Sequence, residues 1–488
     1  MKEKGLSGYL TVYLALVLTL LLSLCLSLIE GARSNAIRLE AACVADAGIN
    51  SVFAEYHREL LRQYNLFAID SAYGTGYPCK ENTVRHLEKY INRNFSMEDI
   101  FLSDFLYKNF IALQLKNIEV TGMSVLTDEE GAVFRQCAVD AVKADVGIDL
   151  LEHVTEWTET ITGEGLLEGD IAAQKRQTDA QIQEYDGREI RLSEEEWITI
   201  DVTNPTDGLE QIRSRGILDA VIAQPSELST KAIVTGDLIG RRLEEGRISQ
   251  GNIPIAQLGA AEQLTEHFFF QEYLLRYLGS YRKEKESGAL SYQIEYLLVG
   301  KDTDLENLKG VADRLCMLRE AANALYLFSD ESKCAQAEMA ATALATLFMV
   351  PEIAPLLKTT LLLGWAYAES LYDVKTLLAG GRIPLIKDAS SWHYGLEAAL
   401  AVEGGQQEET ASGGLSYEDY LRAMMLLTDT KVLTGRAMDM VEADIRLTPG
   451  NAGFRLDGCY DGLEVLIEVK SAYGYEYEIA MERRYSLY

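Results

Sequence analysis

The chain has 488 residues, of which 48% are hydrophobic and 25% charged, and a formal net charge of −30. That hydrophobic fraction is enough to build packed cores, so long disorder is excluded. The excess of Asp and Glu leaves no basic face able to displace counterions from phosphate, which excludes a nucleic-acid binder. Pro is scarce, at 8 residues, which favours a helix-dominated α+β fold.

Residues 10–29 read LTVYLALVLTLLLSLCLSLI, without a charged side chain. About twenty apolar residues at 1.5 Å each span the ~30 Å hydrocarbon layer. The run predicts one transmembrane helix over 9–29, preceded by a short cytoplasmic tail over 1–8, so the membrane is the first expected partner. A cleaved signal peptide would have a shorter apolar region followed by small residues at the cut. Here Glu30-Gly31-Ala32-Arg33 follows, and an uncleaved anchor is expected. Lys2 and Lys4 on one side nearly balance Arg33 and Arg38 on the other, so charge alone does not orient the span. An acidic surface repels anionic lipid, and attachment must come from the apolar run itself.

The helix is expected to continue to about residue 66. Ala32, Ala36, Leu39, Cys43, Ile49, Phe53, Tyr56, Leu60 and Tyr64 recur at three- to four-residue spacing, which is one helical face. A short strand over 65–70, a helix over 84–94 and strand structure over 113–124 complete a small α/β region, 30–125. Thr127-Asp128-Glu129-Glu130 has the form of a capping box opening a long helix to about Thr160. A polar, exposed helix over 165–186 and irregular structure over 200–260 fill the region 126–260. A helical core domain is expected over 261–402, starting with a helix that carries Phe268, Phe269, Phe270, Tyr273 and Tyr277. A strand over 290–299 follows, then a helix capped by Thr303. Helices over 333–350 and 351–378 come next, parted at Pro351. The uncharged runs 339–350 and 359–368 are too short to span a membrane and predict buried core helices.

Residues 403–415, EGGQQEETASGGL, form a linker. The last region, 416–488, combines a helix from Ser416 to about Arg446 with a C-terminal β-hairpin. In the hairpin Leu463, Val465, Ile467 and Val469 alternate with Glu464 and Glu468, and Tyr473, Tyr475, Tyr477, Ile479 and Met481 alternate with Glu476, Glu478 and Glu482. Its apolar face is expected to close the end of the helical core. Of seven cysteines, Cys25 lies in the apolar run. Most of Cys43, Cys79, Cys137, Cys316, Cys334 and Cys459 are expected to be buried free thiols, because their spacing shows no disulfide framework.

No catalytic, cofactor-binding or metal-ligating residue emerges from the motifs, and no cofactor and no small-molecule substrate is expected. There is no phosphate-binding Gly-rich loop and no nucleophile elbow. His57-Arg58-Glu59 matches half of a zinc-deaminase signature, but position 82, where a second thiol belongs after Cys79, is Asn82. Asp302, Asp304 and Glu306 start like a calcium loop, but the sixth position is Asn307 rather than Gly, and the twelfth is Asp313 rather than Glu. An acid-rich first helical turn accounts for them.

Gly8, the apolar helix, Glu30-Gly31-Ala32-Arg33 and the Ala-rich helix after it resemble the TadE/TadG-like proteins of the Tad (Flp) pilus assembly system. This resemblance implies one N-terminal span, an extracytoplasmic bulk at the cell membrane, and pilus-assembly or other envelope proteins as partners. It implies a non-enzymatic component or accessory of a pilus. The Glu that type IV pilins carry five residues after their cleavage Gly is Tyr13 counted from Gly8, and Leu10 counted from Gly5, so the TadG-like side fits better. The alternative class is a surface adhesin or envelope scaffold unrelated to pili, with a membrane-tethered hydrolase behind it. Over most of its length the chain also resembles a bacterial family of uncharacterised large single-anchor proteins. SYQIEYLLVGK (291–301), Arg319-Glu320-Ala321-Ala322-Asn323 and LLAGGRIPLIK (377–387) are the motifs that carry this resemblance.

Overall fold

The computed structural model describes residues 3–95, 113–147, 149–166, 170–191, 197–222, 224–244, 253, 259–401 and 413–485. Helices dominate, as expected of a helix-rich α+β chain. The strands are β1 (Ile69–Asp70), β2 (Leu113–Val125), β3 (Glu189–Arg191), β4 (Trp197–Thr199), β5 (Arg382–Ile383), β6 (Leu415–Ser416), β7 (Cys459–Ser471) and β8 (Glu476–Arg484). The chain divides into two compact units, one of residues 1–137, 242–257 and 448–488, the other of residues 138–241 and 258–447. The expected linker over 403–415 falls mostly outside the described residues.

The first unit is built on α1 (Glu3–Phe53), whose N-terminal part is the apolar run. The run continues into the Ala-rich segment without Pro, so nothing interrupts the hydrogen-bond ladder. The helix ends at Phe53, short of 66. A turn follows, and His57 caps α2 (Arg58–Tyr64) by accepting the Leu60 N–H on Nδ1 at 3.3 Å. Asn65 closes α2 in the left-handed region (φ 52), so the expected strand over 65–70 shrinks to the two residues of β1. The expected face of α1 also needs correction. Ile37, Ala41, Ala45, Ile49 and Val52 are buried, whereas Leu39 is 67% exposed and Ala32, Ala36 and Cys43 are exposed too. Ala-rich sequence puts a small apolar residue on nearly every face, and spacing alone does not choose between them. The buried stripe packs on α3 (Lys80–Phe95). They approach closely at Gly48, where a Cβ would lie 2.8 Å from Ile91 Cγ1.

Against these helices lies a sheet with β7 at its centre. β2 pairs antiparallel along one edge of β7, from Leu113 opposite Ser471 to Val125 opposite Tyr460, with register shifts at three points. β8 and β1 pair along the other edge. Val465, Ile467 and Val469 are buried against the helices, while Tyr475 and Tyr477 are half-buried beside them. Tyr477 Oη lies 2.8 Å from Ser34 Oγ of α1, and the Arg33 guanidinium sits 4.5 Å over the Tyr473 ring in the β7–β8 turn. The hairpin therefore closes a core made by α1, α3 and β2, not the helical core with which the region 416–488 grouped it. Ion-paired or bonded ends fix it there: Arg483 with Asp46, and Tyr485 Oη with the Phe53 carbonyl.

The box at 127–130 does not open a long helix. Glu129, Glu130 and Gly131 all have positive φ, and the Asp128 carboxylate turns back to accept the Val125 N–H at 2.8 Å. The helical stretches are Asp128–Asp140 and Asp149–Gly163, separated rather than continuous.

The second unit is a helical assembly. Helix Asp304–Ser329 begins at Thr303, whose Oγ1 accepts the Glu306 N–H as expected. Helix Glu331–Leu347 follows, then Ala354–Ala379, which ends at Gly380 with φ 97. The uncharged run 359–368 is buried almost throughout, as expected of a core helix, but the run 339–350 is not: Met339 and Leu347 are exposed, and it buries only the one face that carries Ala341 and Ala345, together with Val350. Residues 290–299 are not a strand: Gln293–Val299 is a helix. Every residue from Ser291 to Leu298 is buried, and a segment buried on all sides has no period to read. The polar helix is Ile171–Gln183, but it is not simply exposed. Lys175 is fully buried, with Nζ at 2.5 Å from Asp179 and 3.0 Å from Glu210. The expected helix over 416–446 is two, Tyr417–Leu426 and Thr430–Arg446, because Asp429 caps a new start by accepting the Lys431 N–H at 2.7 Å. All seven cysteines are free, but only Cys316 and Cys459 are buried.

Candidate functional site

The motif segments at 319–323 and 377–387 meet inside the second unit. Arg319, on Asp304–Ser329, is fully buried. Its Nε lies 2.9 Å from Asp373 Oδ2, and Nη1 donates to the carbonyls of Leu385 (2.6 Å) and Pro384 (3.0 Å) and to Tyr420 Oη (3.1 Å). Asn323 Nδ2 donates to the same Asp373 oxygen at 2.9 Å. Lys387 Nζ reaches Asp373 Oδ1 at 2.6 Å and also pairs with Glu369. Glu369 in turn accepts the backbone N–H groups of His393 (2.8 Å) and Tyr394 (2.9 Å). Two cations and two anions, none more than 3% exposed, thus tie the 382–394 loop to two helices. Charges taken out of water this completely are tolerated only when each is paired and hydrogen-bonded.

The third motif segment, 291–301, makes a second buried network. Glu295 accepts the Tyr281 N–H at 2.8 Å and the Tyr417 hydroxyl at 2.7 Å. Burial pushes its carboxyl up to about 7. Gln293 donates to Asp444 at 2.8 Å, and the Tyr296 hydroxyl to Asp439 at 3.0 Å. The calcium-like acids are likewise engaged by the protein. Asp304 accepts Ser229 Oγ and the N–H groups of Ser291 and Tyr292, and Glu306 accepts the Thr303 hydroxyl. His57 and Glu59 stand apart, Glu59 being paired with Arg62. Among the described residues no three His, Cys, Asp or Glu side chains group to hold a metal. Burial raises the Cys316 thiol to about 12, which keeps it protonated and a poor nucleophile.

Open space lies beside the first network. A cleft of ≈ 430 Å³ is walled by Ile161, Met317, Leu318, Met424 and Leu427, with Arg314 and Thr428 as polar lining. Tyr420 also lines it, and its hydroxyl links the wall to Arg319. Met317 is 53% exposed at its mouth. An apolar cleft of this volume with few polar groups suits binding of an apolar group. It holds no acid pair and no nucleophile beside a base among its lining residues. Sequence reading missed it, because its walls come from three helices, Asp149–Gly163, Asp304–Ser329 and Tyr417–Leu426, and the turn after the last, which lie far apart in the chain.

A protein-family model matches residues 195–471, which is more than half of the chain. It describes a family of unknown function, DUF5702. The chain belongs to this family. The DUF5702 region takes in all three motif segments, both buried networks and all of the cleft except Ile161. It excludes α1, where the TadE/TadG resemblance lies. Nothing matches among the curated proteins, and nothing among the solved structures.

Proposed function

We propose that this DUF5702 protein is a non-enzymatic, membrane-anchored envelope protein. In this reading the bulk of the chain is extracytoplasmic, and the chain serves as a component or accessory of a Tad-type pilus assembly system. The observation that carries the anchor is the apolar part of α1. Its best window has a mean hydropathy of 2.7, none of it is buried, and it runs unbroken into the folded first unit. A core helix of that hydropathy would be covered by protein; this one needs lipid to cover it. The turn of the β7–β8 hairpin supports the same reading. Tyr473, at the level of Arg33, is about one helical turn beyond the span, where interfacial aromatic residues sit. The pilus role rests on the resemblance of residues 8–33, and the extracytoplasmic side on the same resemblance. The absence of paired catalytic groups in the cleft favours binding over catalysis.

Affinity purification from detergent-solubilised membranes tests the pilus role. Pilus subunits or the assembly platform are expected to co-purify; their consistent absence overturns it. The second reading, an adhesin or scaffold, draws on the apolar cleft in the DUF5702 region. It predicts that Met317→Glu abolishes binding to a surface ligand while leaving any pilus complex intact.

A further inference from the structure

The sequence singled out Ala32, Ala36, Leu39 and Cys43 as a helical face, and the structure leaves that face uncovered. At about 100° per residue, these positions lie roughly opposite the stripe Ile37, Ala41, Ala45 and Val52 that packs into the first unit. Leu39 is 67% exposed and Cys43 is exposed. The uncovered face does not stop at the membrane. Leu18, Leu22, Cys25, Ile29, Ala32, Ala36, Leu39 and Cys43 alternate steps of four and three without a break. That is the seam of a parallel coiled coil.

We propose that α1 is a dimerisation helix, and that this seam pairs with the same seam of a second copy of the chain. Three observations select a second copy over another partner. The apolar face runs on from the span to Cys43, so a second copy of the same helix matches it in length, in apolar character and in where it leaves the bilayer. Copies inserted by the same anchor share one orientation and one depth, which aligns seam position with seam position. The flanks also permit self-pairing. The g-type positions are Leu28, Asn35 and Ala42 and the e-type positions Arg33 and Glu40, so no like charges face each other across the joint despite the net charge of −30. Ala32 and Ala36 allow close backbone approach just beyond the membrane. The inference rests on the anchor reading above for its parallel register.

Cross-linking of the full chain in native membranes tests this. Copper phenanthroline with dissolved oxygen converts two facing thiols to a disulfide, oxygen taking up the two electrons and two protons. The wild type is expected to give a band at twice the 54.3 kDa of one chain on a non-reducing gel, and C25S/C43S, which removes both seam thiols, to lose it. In a C25S/C43S background, cysteines at Ala32, Ala36 and Leu39 should restore the band, and cysteines at Asn35, Arg38 and Ala42 should not. Leu39 is exposed, so in a C25S background Leu39→Glu should leave the fold intact and abolish the Cys43 cross-link. Membrane-retained protein that cross-links at none of the seam positions, or equally at all positions, overturns the seam alone. Protein missing from the membrane fraction overturns the anchor reading and the seam with it.

Discussion

Folding moves the carboxyl of Glu295 into the neutral pH range. An ordinary glutamate in the unfolded chain titrates near 4.3, and burial holds this one up at about 7. A carboxyl whose folded pKa is raised stabilises the fold in its protonated form. Its contribution is full below the unfolded value and is lost as pH rises through about 7. Glu295→Gln keeps an oxygen for Tyr281 and Tyr417 but cannot ionise. The variant should therefore gain on the wild type as pH goes from 5 to 9, by roughly 3 kcal/mol at most. Urea unfolding of the full chain in detergent at several pH values measures it, and a pH-independent difference contradicts the assignment. Asp373 poses the opposite case. Asp373→Asn leaves Arg319 and Lys387 buried with one carboxylate between them, and should cost about 3–5 kcal/mol. A loss under about 1 kcal/mol in the same experiment would mean the network is open to water. Neither network was legible in the sequence as chemistry. Arg319, Asn323 and Lys387 stood in recognisable motifs, but their partner Asp373 lies some fifty residues from Arg319, and only folding brings the two together.

At the scale of elements, the legible parts were those with local physical causes. The helix starts at Thr303 and Ser416 form as their capping side chains require. The alternation of Leu463, Val465, Ile467 and Val469 does mark a strand. The failures came where local signals were uninformative or overruled. Residues 291–298 are buried on every side, so their spacing imitates a strand. The acids at 127–130 satisfy a capping pattern, but Asp128 is taken by the Val125 N–H at the end of β2. What the hairpin packs on could not be read at all, because its partner α1 is more than four hundred residues away in sequence. That partner sharpens a test. Deleting residues 453–488 removes β7, the strand that β1, β2 and β8 all pair with. A domain is stable by only about 5–15 kcal/mol, and one buried large side chain supplies about 1.5–3. The truncated chain should therefore lose the first unit, seen as rapid proteolysis within residues 30–137 while the second unit persists. Undiminished protease resistance there would show that the hairpin is a docking strand rather than part of the core.

For the whole molecule, everything proposed rests on residues 9–29 of α1 being in lipid. The net charge of −30 gives the folded surface no affinity for an anionic bilayer, so no other part of the chain should hold it there. Leu20 and Leu21 are central in the run. Replacing both by Arg places two charges at mid-membrane, at about 2.5–3.5 kcal/mol each on insertion scales. The measurement is the distribution of the full chain between membrane pellet and supernatant after an alkaline carbonate wash. The wild type should remain in the pellet and Leu20→Arg/Leu21→Arg should move to the supernatant; retention of the double variant in the pellet would contradict the account.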